Sequence, residues 1–181
     1  IWTFNMSEDI QICDLMEQSG VKFGTSGARG LASAMTDGVC HAYTSGFLSF
    51  LEESNELKRA GESVAIAGDL RPSTGRIMAA VAQAVRDMGY VPVNCGRIPS
   101  PAVSLLGFEQ GIPSIMVTGS HIPADRNGIK FNKCSGEILK RDEVRMMAQK
   151  VLYRSDVEVG SLPAEEDTAI SLYLERYTKV F

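Results

Sequence analysis

The sequence predicts an α/β fold, a three-layer α/β/α domain whose sheet is mixed but mostly parallel. Three short apolar runs typical of buried strands alternate with segments of helical periodicity between residues 63 and 120. Strands and helices that alternate at this spacing form right-handed βαβ units, which place the strands parallel in one sheet with helices against its faces. The composition agrees, because 181 residues with 44% apolar and 22% charged side chains can form one ordinary globular core.

The chain is expected to open with a short helix and a loop. Residues 7–20 (SEDIQICDLMEQSG) show the spacing of an amphipathic helix, and Gly20 is a suitable end for it. Its apolar face carries Ile12, Leu15 and Met16. Residues 21–31 (VKFGTSGARGL) are rich in glycine and polar side chains, so we expect a loop there.

A longer helix is predicted next. Thr36 or Asp37 is a suitable N-cap, because a short side-chain oxygen can accept one of the free N–H groups of the first turn. Gly61 is a suitable C-terminal stop. The apolar positions between them are Val39, Tyr43, Phe47, Leu48 and Leu51.

The βα units follow in order. The predicted strands are residues 63–69 (SVAIAGD), 90–96 (YVPVNCG) and 112–120 (IPSIMVTGS). Residues 71–89 form the predicted helix between the first two strands, and residues 100–111 the helix between the second and third. These three strands and two helices are the central part of the predicted sheet.

The rest of the chain is expected to complete one domain and begin another. A hairpin turning at 134–136 and a helix over 141–152 follow the third strand. The acidic stretch RSDVEVGSLPAEED then reads as a linker before a last helix, TAISLYLERYTKVF. We therefore expect one α/β/α domain over residues 1–162, with its core in about 20–162. Residues 163–181 would be a linker and the first helix of a second, truncated domain.

Charge and cysteine content exclude several classes of protein. A net charge of −4 argues against a broad nucleic-acid-binding face, and no apolar run is long enough to span a bilayer. The four cysteines are far apart and form no CxxC pair, which argues against structural zinc. A reducing, cytoplasmic location is expected. The cysteines are Cys13, Cys40, Cys95 and Cys134.

Three polar loops are expected to meet at one edge of the sheet. They follow the predicted strands at 68–74 (GDLRPST), 95–101 (CGRIPSP) and 118–130 (TGSHIPADRNGIK). Ligands of such sheets lie at the carboxyl ends of the strands, and cationic loops with Gly, Ser and Thr suit phosphate. Each cation alone is more simply a solvated surface charge, but the set favours an anion site. The set comprises Lys22, Arg29, Arg71, Arg76, Arg97, Arg126, Lys130 and Lys133.

Two further features refine this interpretation. Gly24, Gly27 and Gly30 form a GxxGxxG spacing, which fits a tight turn and a phosphate loop equally and is neither a dinucleotide nor an NTP fingerprint. Ser120 lacks the GxSxG context of a hydrolase nucleophile. The sequence has one histidine apart from its neighbour His121, and that residue, His41, lies in a predicted helix. A serine that carries phosphate suits the surrounding cations better than a protease-type serine.

The motifs FGTSGARG (23–30), GDLRPST (68–74) and TGSHIPADRNGIKF (118–131) resemble those of the α-D-phosphohexomutases, the phosphomannomutase/phosphoglucomutase family. All three agree in order and spacing, and the serine loop is the most specific. The resemblance covers roughly residues 20–162 and implies the first domain of a four-domain enzyme.

The resemblance implies a role for several residues. Ser120 would be the phosphoserine that donates its phosphoryl group to a hexose monophosphate and takes one back from the bisphosphorylated intermediate. Its phosphate would be one ligand of Mg²⁺. The partners of the enzyme would be hexose monophosphate and hexose 1,6-bisphosphate. His121 and Lys130 would serve proton transfer and charge stabilisation, and Lys130 would also bind substrate. Arg29 would contact phosphate or the reacting centre, on the loop formed by Thr25, Ser26 and Gly27.

The chain departs from the family pattern in two ways. Ile122 stands where the family commonly has Asn, which favours a phosphomannomutase-like member. The aspartate-rich metal loop, the sugar-selecting loop and the substrate-phosphate loop belong to domains 2, 3 and 4, and this chain contains none of them, so the 181 residues alone are expected to be inactive. Two alternatives stay open: a non-catalytic anion-binding α/β module, and a serine-dependent hydrolase of phosphate esters.

Overall fold

The computed structural model describes residues 7–24, 27–58 and 60–180, and they form a mixed sheet with helices on both faces. The predicted three-layer α/β/α architecture is confirmed. The helices of the described residues are α1 (Ile12–Ser19), α2 (Asp37–Glu53), α3 (Thr74–Asp87), α4 (Ser100–Gln110), α5 (Lys140–Met147) and α6 (Thr168–Val180). The strands are β1 (Ser7–Gln11), β2 (Lys22–Gly24), β3 (Gly27–Leu31), β4 (Ser63–Gly68), β5 (Val91–Arg97), β6 (Ser114–Val117), β7 (Arg126–Lys133), β8 (Gly136–Glu137) and β9 (Lys150–Arg154).

The main sheet has seven strands in the order β2-β3-β7-β6-β4-β5, with β8 beside β7. Strand β4 pairs in parallel with β5 and with β6, as the βαβ pattern predicts. The pairs β6-β7, β7-β3 and β3-β2 are antiparallel, so the parallel part of the mixed sheet is confined to three strands. Strands β4 and β6 are almost wholly apolar because helices cover both faces of the sheet there.

Alternate residues of β4 supply two separate cores. Val64 and Ile66 pack into the larger core, which α1, α2, α3 and α5 cover. Ala65 and Ala67 pack into the smaller core beneath α4 and α6. Successive strand residues point to opposite faces, so small side chains on the second face let α4 pack close to the sheet.

The N-terminal segment differs from the predicted single helix. Residues Ser7–Gln11 form β1, which pairs antiparallel with β9, and the helix begins only at Ile12. The pairing partner lies about 140 positions away in the sequence, so local periodicity carries no sign of it. Gly20 ends the helix in the left-handed conformation, with φ of 70°, as predicted.

The glycine-rich segment predicted to be a loop contains the two strands β2 and β3 instead. A Cβ on Gly27 would overlap the carbonyl oxygen of Ile129 on β7, so the absence of a side chain is what lets β3 pair so closely. Tertiary pairing therefore overrides the low strand propensity of glycine.

Two other predicted helices have different ends. Thr36 caps α2 as predicted, its Oγ1 accepting the Val39 N–H at 3.3 Å, but the helix ends at Glu53 and not near Gly61. The helix predicted over 141–152 ends earlier than expected, because its last residues belong to strand β9, which pairs with β1. The hairpin of β7 and β8 is confirmed.

The acidic segment after β9 lies along the edge formed by α3 and β5. Arg86 Nη2 donates a hydrogen bond to the Ser161 carbonyl at 2.7 Å, and Asn94 Nδ2 donates to the Pro163 carbonyl at 3.0 Å. Helix α6 then packs against α4, with Ala169 fully buried. None of the helices in the described ranges combines the length and the apolar character needed to cross a membrane.

Candidate functional site

Three loops meet at the carboxyl ends of β4, β5 and β6, as the sequence predicts. The loop after β4 contacts the loop after β6, since the Gly119 N–H donates to Asp69 Oδ2 at 3.0 Å. The loop after β5 joins them through Arg97, which donates to the Asp69 carbonyl. This sheet edge is where doubly wound folds bind ligands.

Ser120 lies exposed at the tip of the loop that follows β6. Its φ of +50° is in the left-handed region, which a residue with a side chain adopts only when its surroundings impose it. Its N–H donates to Thr118 Oγ1 at 2.9 Å, and its Oγ lies 3.3 Å from His121 Nδ1. The turn therefore brings the hydroxyl and the imidazole of adjacent residues to one side, where a regular strand would have separated them.

Asp69 anchors the base of this loop. Partial burial acts to raise the pKa of its carboxyl group, but hydrogen bonds from Thr74 Oγ1 and from the N–H groups of Arg71 and Gly119 outweigh it. The pKa of Asp69 is therefore held below its ordinary value, and the side chain stays a charged acceptor. Sequence reasoning missed this role and treated the loop as part of an anion site.

Three cations share one face of the sheet beside the serine loop. Lys22 pairs with Arg29, Arg29 pairs with Gly128, and Gly27 pairs with Lys130 across antiparallel ladders. Directly opposed residues of antiparallel strands project to the same face, so Lys22, Arg29 and Lys130 project together. The Thr118 N–H donates to the Gly128 carbonyl at 2.9 Å, which connects this cationic face to the start of the serine loop.

The structure thus brings Ser120, His121, Gly27, Arg29 and Lys130 to one region. The predicted residues Thr25 and Ser26 lie outside the described residues. Asn127 lies at the start of β7, where its amide donates to Ser73 Oγ and Thr74 Oγ1 and so ties β7 to α3.

Other predicted members of the cation set have different partners. Arg76 Nη1 lies 2.8 Å from Asp37 Oδ1, and its Nη2 donates to the Ala32 carbonyl. Arg97 donates to the backbone of the Asp69 loop. Arg71 donates to four carbonyl groups of the serine loop. Their charges serve neighbouring protein groups, so the prediction of a single eight-cation site is wrong for them.

Lys133 is the clearest departure. It is 9% exposed, and its Nζ lies 3.0 Å from Asp142 Oδ2 and 3.7 Å from Glu56 Oε1. Because β7 runs antiparallel to β6, its last residue lies at the opposite edge of the sheet from Ser120. Lys133 is therefore part of a buried structural ion pair and not of the phosphate site.

A separate cleft of about 490 Å³ lies between α2, α3 and β9. Its lining includes His41, which is buried with Nε2 2.8 Å from Asp87 Oδ2. Arg154 contacts the same carboxylate at 3.0 Å. Asp87 thus binds two of the cationic or titratable side chains that line this cleft, and the serine loop is not part of its lining.

The described residues do not make a magnesium site by themselves. No group of three or more His, Cys, Asp or Glu side chains among them is arranged to hold a metal ion. The Asp69 carboxylate is occupied by the hydrogen bonds described above, and Asp125 is a lone exposed carboxylate in the serine loop. Magnesium is usually held by carboxylates together with phosphate, so this part of the chain lacks the carboxylate half of such a site.

The chain is similar to proteins of one family. The family model for phosphoglucomutase/phosphomannomutase, alpha/beta/alpha domain I, matches residues 20–155. A phosphomannomutase of Sinorhizobium fredii is 40% identical over 163 residues, which are 87% of this chain and 34% of the relative. A phosphomannomutase of Salmonella muenchen is 38% identical over 172 residues, 93% of this chain and 34% of the relative. A phosphoglucosamine mutase of Corynebacterium jeikeium is 28% identical over 162 residues, 86% of this chain and 36% of the relative.

Solved structures show the same fold. A phosphoglucomutase/phosphomannomutase family protein of Burkholderia thailandensis superposes with a TM-score of 0.64 at 24% identity, over 90% of this chain and 36% of the other. The chain spans about a third of the length of the relatives that it matches. From the match of the family model over most of the fold, we conclude that this chain belongs to the phosphoglucomutase/phosphomannomutase family and contains its α/β/α domain I.

Proposed function

We propose that this chain is the N-terminal, serine-bearing domain of a phosphohexomutase that interconverts hexose 1-phosphate and hexose 6-phosphate. In the proposal, residues 1–162 are the first domain, and residues 163–181 are a linker and the first helix of the second. The observation that carries it is Ser120, exposed in the left-handed conformation beside His121 and next to the cationic face of Lys22, Arg29 and Lys130.

The chemistry is two phosphoryl transfers in opposite directions. A hydroxyl oxygen of the hexose monophosphate forms a bond to the phosphorus of phosphorylated Ser120 and loses its proton. The bond from phosphorus to Ser120 Oγ breaks, and Oγ takes up a proton. The bisphosphorylated sugar then turns, and Oγ loses its proton as it forms a bond to the other phosphorus. The bond from that phosphorus to the sugar oxygen breaks, the sugar oxygen takes up a proton, and the phosphoserine is restored. Such transfers depend on positioning and on charge stabilisation more than on covalent catalysis by the protein.

The surrounding side chains have roles suited to these steps. His121, whose Nδ1 lies 3.3 Å from Oγ, holds the proton that enters and leaves at Oγ. Arg29 and Lys130 stabilise the negative charge that spreads over the transferring group. Thr25, Ser26 and Gly27 contact the substrate.

In this proposal, the chain contributes to the magnesium site only through the phosphate on Ser120. The phosphate would contribute one oxygen ligand, and the metal would neutralise charge on the transferring group. The carboxylate ligands would come from another part of the full-length protein, because the described residues hold no suitable cluster. The isolated 181-residue chain is therefore proposed to fold without isomerising hexose phosphates.

Mannose phosphate is the proposed substrate. The two relatives at 38–40% identity are named phosphomannomutases, and the relative at 28% identity is named a phosphoglucosamine mutase. Ile122 in the serine loop favours the same choice. A cytoplasmic location completes the proposal, because the cysteines in the described residues are free thiols.

A coupled assay of the full-length protein with mannose 1-phosphate, glucose 1-phosphate and Mg²⁺ tests the proposal. We expect formation of the 6-phosphate, with the Ser120→Ala variant inactive and no steady release of inorganic phosphate. Release of phosphate by the wild-type protein without isomerisation would favour the hydrolase. Sugar-phosphate binding without turnover would favour the anion-binding module.

A further inference from the structure

The guanidinium of Arg71 is surrounded by the backbone of the serine loop. Its Nη1 donates to the carbonyl groups of Pro123 at 2.6 Å and Arg126 at 2.9 Å. Its Nη2 donates to the carbonyl groups of Ile122 at 2.6 Å and Ser120 at 3.3 Å. The side chain is 17% exposed, so one half-buried cation orients four carbonyl groups within seven residues of the loop.

The remaining donor of Arg71 is also engaged. Nε lies 3.4 Å from Asp69 Oδ2, the oxygen that accepts the Gly119 N–H. An arginine has five N–H donors, and four of those of Arg71 bind carbonyl oxygens of the serine loop, while Nε lies within ion-pair distance of a carboxylate. These contacts hold Arg71 to the protein, although its charge and its position beside the site would suit a substrate phosphate.

Gly119 allows this arrangement sterically. A Cβ at this position would overlap Nε and Cζ of Arg71, so any side chain there would displace the guanidinium. Asp69 holds the N–H side of the loop while Arg71 holds its carbonyl side. We refer to these three residues, Asp69, Arg71 and Gly119, as the Arg71 clamp.

We propose that the Arg71 clamp positions Ser120 for phosphoryl transfer by holding it in its left-handed conformation. The proposal rests on the proposed function, in which Ser120 carries the phosphoryl group. The clamp holds the carbonyl of Ser120, the N–H of Gly119 before it and the carbonyl of Ile122 after it, so the backbone on both sides of Ser120 is fixed and with it the direction of Oγ. Phosphoryl transfer is sensitive to such placement, since a displacement of about 1 Å can reduce a rate on the order of 10²-fold. Arg71 is thus a positioning residue, which acts on the substrate only through Ser120.

The first test compares two Arg→Lys substitutions in the full-length protein. Arg71→Lys keeps the charge but loses the planar fork of donors, so kcat should fall on the order of 10²-fold while KM for mannose 1-phosphate stays within about threefold. Arg86→Lys is the matched control, because Arg86 also donates to a loop carbonyl, that of Ser161, far from the serine loop. It should leave both constants unchanged.

The second test is a double-mutant cycle. Gly119→Ala should lower kcat by displacing the guanidinium, as Arg71→Ala does by removing it. In the Arg71→Ala background, Gly119→Ala should then cost little more, because the group that it displaces is absent. Circular dichroism at the assay temperature checks that each variant is folded.

Three results would overturn the positioning role. These are a kcat of Arg71→Lys within threefold of wild type, effects of Gly119→Ala and Arg71→Ala that multiply, or an Arg71→Lys protein that is unfolded at the assay temperature. Ser120→Ala is assayed in parallel. If Ser120→Ala retains turnover, the proposed function itself fails, whatever the Arg71 variants do.

Discussion

Lys130 and Lys133 lie three positions apart on β7, so their side chains project from opposite faces of the sheet. Lys130 is half-exposed beside Gly27 and on the face that carries Arg29. Lys133 is buried between Asp142 and Glu56. Strand β7 therefore directs Lys130 to the proposed site and Lys133 to the opposite face of the sheet, where α2 and α5 pack.

The same substitution at these two positions should separate catalysis from stability. In the full-length protein, Lys130→Met should reduce turnover on the order of 10²-fold or more with little change in melting temperature. Lys133→Met should leave turnover of the folded protein near wild type and lower the free energy of unfolding by about 3 kcal/mol, because it leaves buried carboxylates unpaired. Urea denaturation and the coupled assay measure the two effects. A collapse of stability with normal turnover for Lys130→Met would make Lys130 a structural residue.

The ion pair of Lys133 also predicts a dependence of stability on pH. Burial acts to raise the pKa of Asp142, but hydrogen bonds from the Leu139 N–H and from Lys133 outweigh it and hold the pKa below its ordinary value of 3.8. The stabilisation is therefore complete above the ordinary value and is lost as the pH falls through the lower, folded-state pKa.

We expect the Asp142→Asn variant to show this sign directly. The difference in free energy of unfolding between wild type and variant should be largest near neutral pH and should shrink as the pH falls below about 4. Denaturant titrations at several pH values measure it. A difference that grows toward acid pH would mean that Asp142 is not stabilised as a carboxylate.

The sequence predicts a site at Ser120 and His121 but gives no sign of the contacts that Arg71 makes. The serine and the histidine follow an apolar strand in a specific motif, and their chemistry is visible in the residue types. The partners of Arg71 are main-chain carbonyl groups, which have no signature in the sequence. Its charge alone predicted a ligand for phosphate, whereas its Nη groups donate to carbonyl groups of the serine loop. Lys133 was misassigned for a related reason, since its partners are distant in sequence.

At the scale of elements, helices α2 and α3 offer a matched pair of glycines. Gly38 and Gly75 are each the second residue of their helix. A Cβ on Gly38 would overlap the backbone carbonyl of Arg154 on β9, whereas a Cβ on Gly75 would meet only the mobile end of the Arg97 side chain at 2.9 Å.

Gly→Ala substitutions at these positions should therefore have different effects. Gly38→Ala should lower the free energy of unfolding by about 1–3 kcal/mol, because β9 must shift to admit the methyl group. Gly75→Ala should be neutral or stabilising by up to about 1 kcal/mol, since alanine is the better helix former. Equal effects at the two positions, measured by urea denaturation, would contradict the close packing of α2 against β9.

The elements that the sequence predicts best are those whose pattern is local. Strands β4 and β6 have continuous apolar runs, and helix α3 has apolar side chains at helical spacing. Strands β1 and β9 could not be predicted in the same way, because each exists by pairing with the other across most of the chain. Strand β3 is rich in glycine for close packing on β7, and this composition reads as a loop.

At the scale of the whole molecule, the fold brings three polar loops to one edge of the sheet and places the buried ion pair of Lys133 at the opposite edge. The antiparallel strands β7, β3 and β2 extend the parallel core sideways and carry the cationic face next to the serine loop. The chain spans about a third of its relatives, so this surface is proposed to be one side of a larger active site.

The phosphorylation state of Ser120 is the most direct test of the proposed phosphoryl transfer. The full-length protein is incubated with a hexose 1,6-bisphosphate and digested, and its peptides are analysed by mass spectrometry. We predict a single phosphate on Ser120 in the wild-type protein and none on the Ser120→Ala variant. A phosphate held stably on another serine, with Ser120 unmodified, would contradict the account.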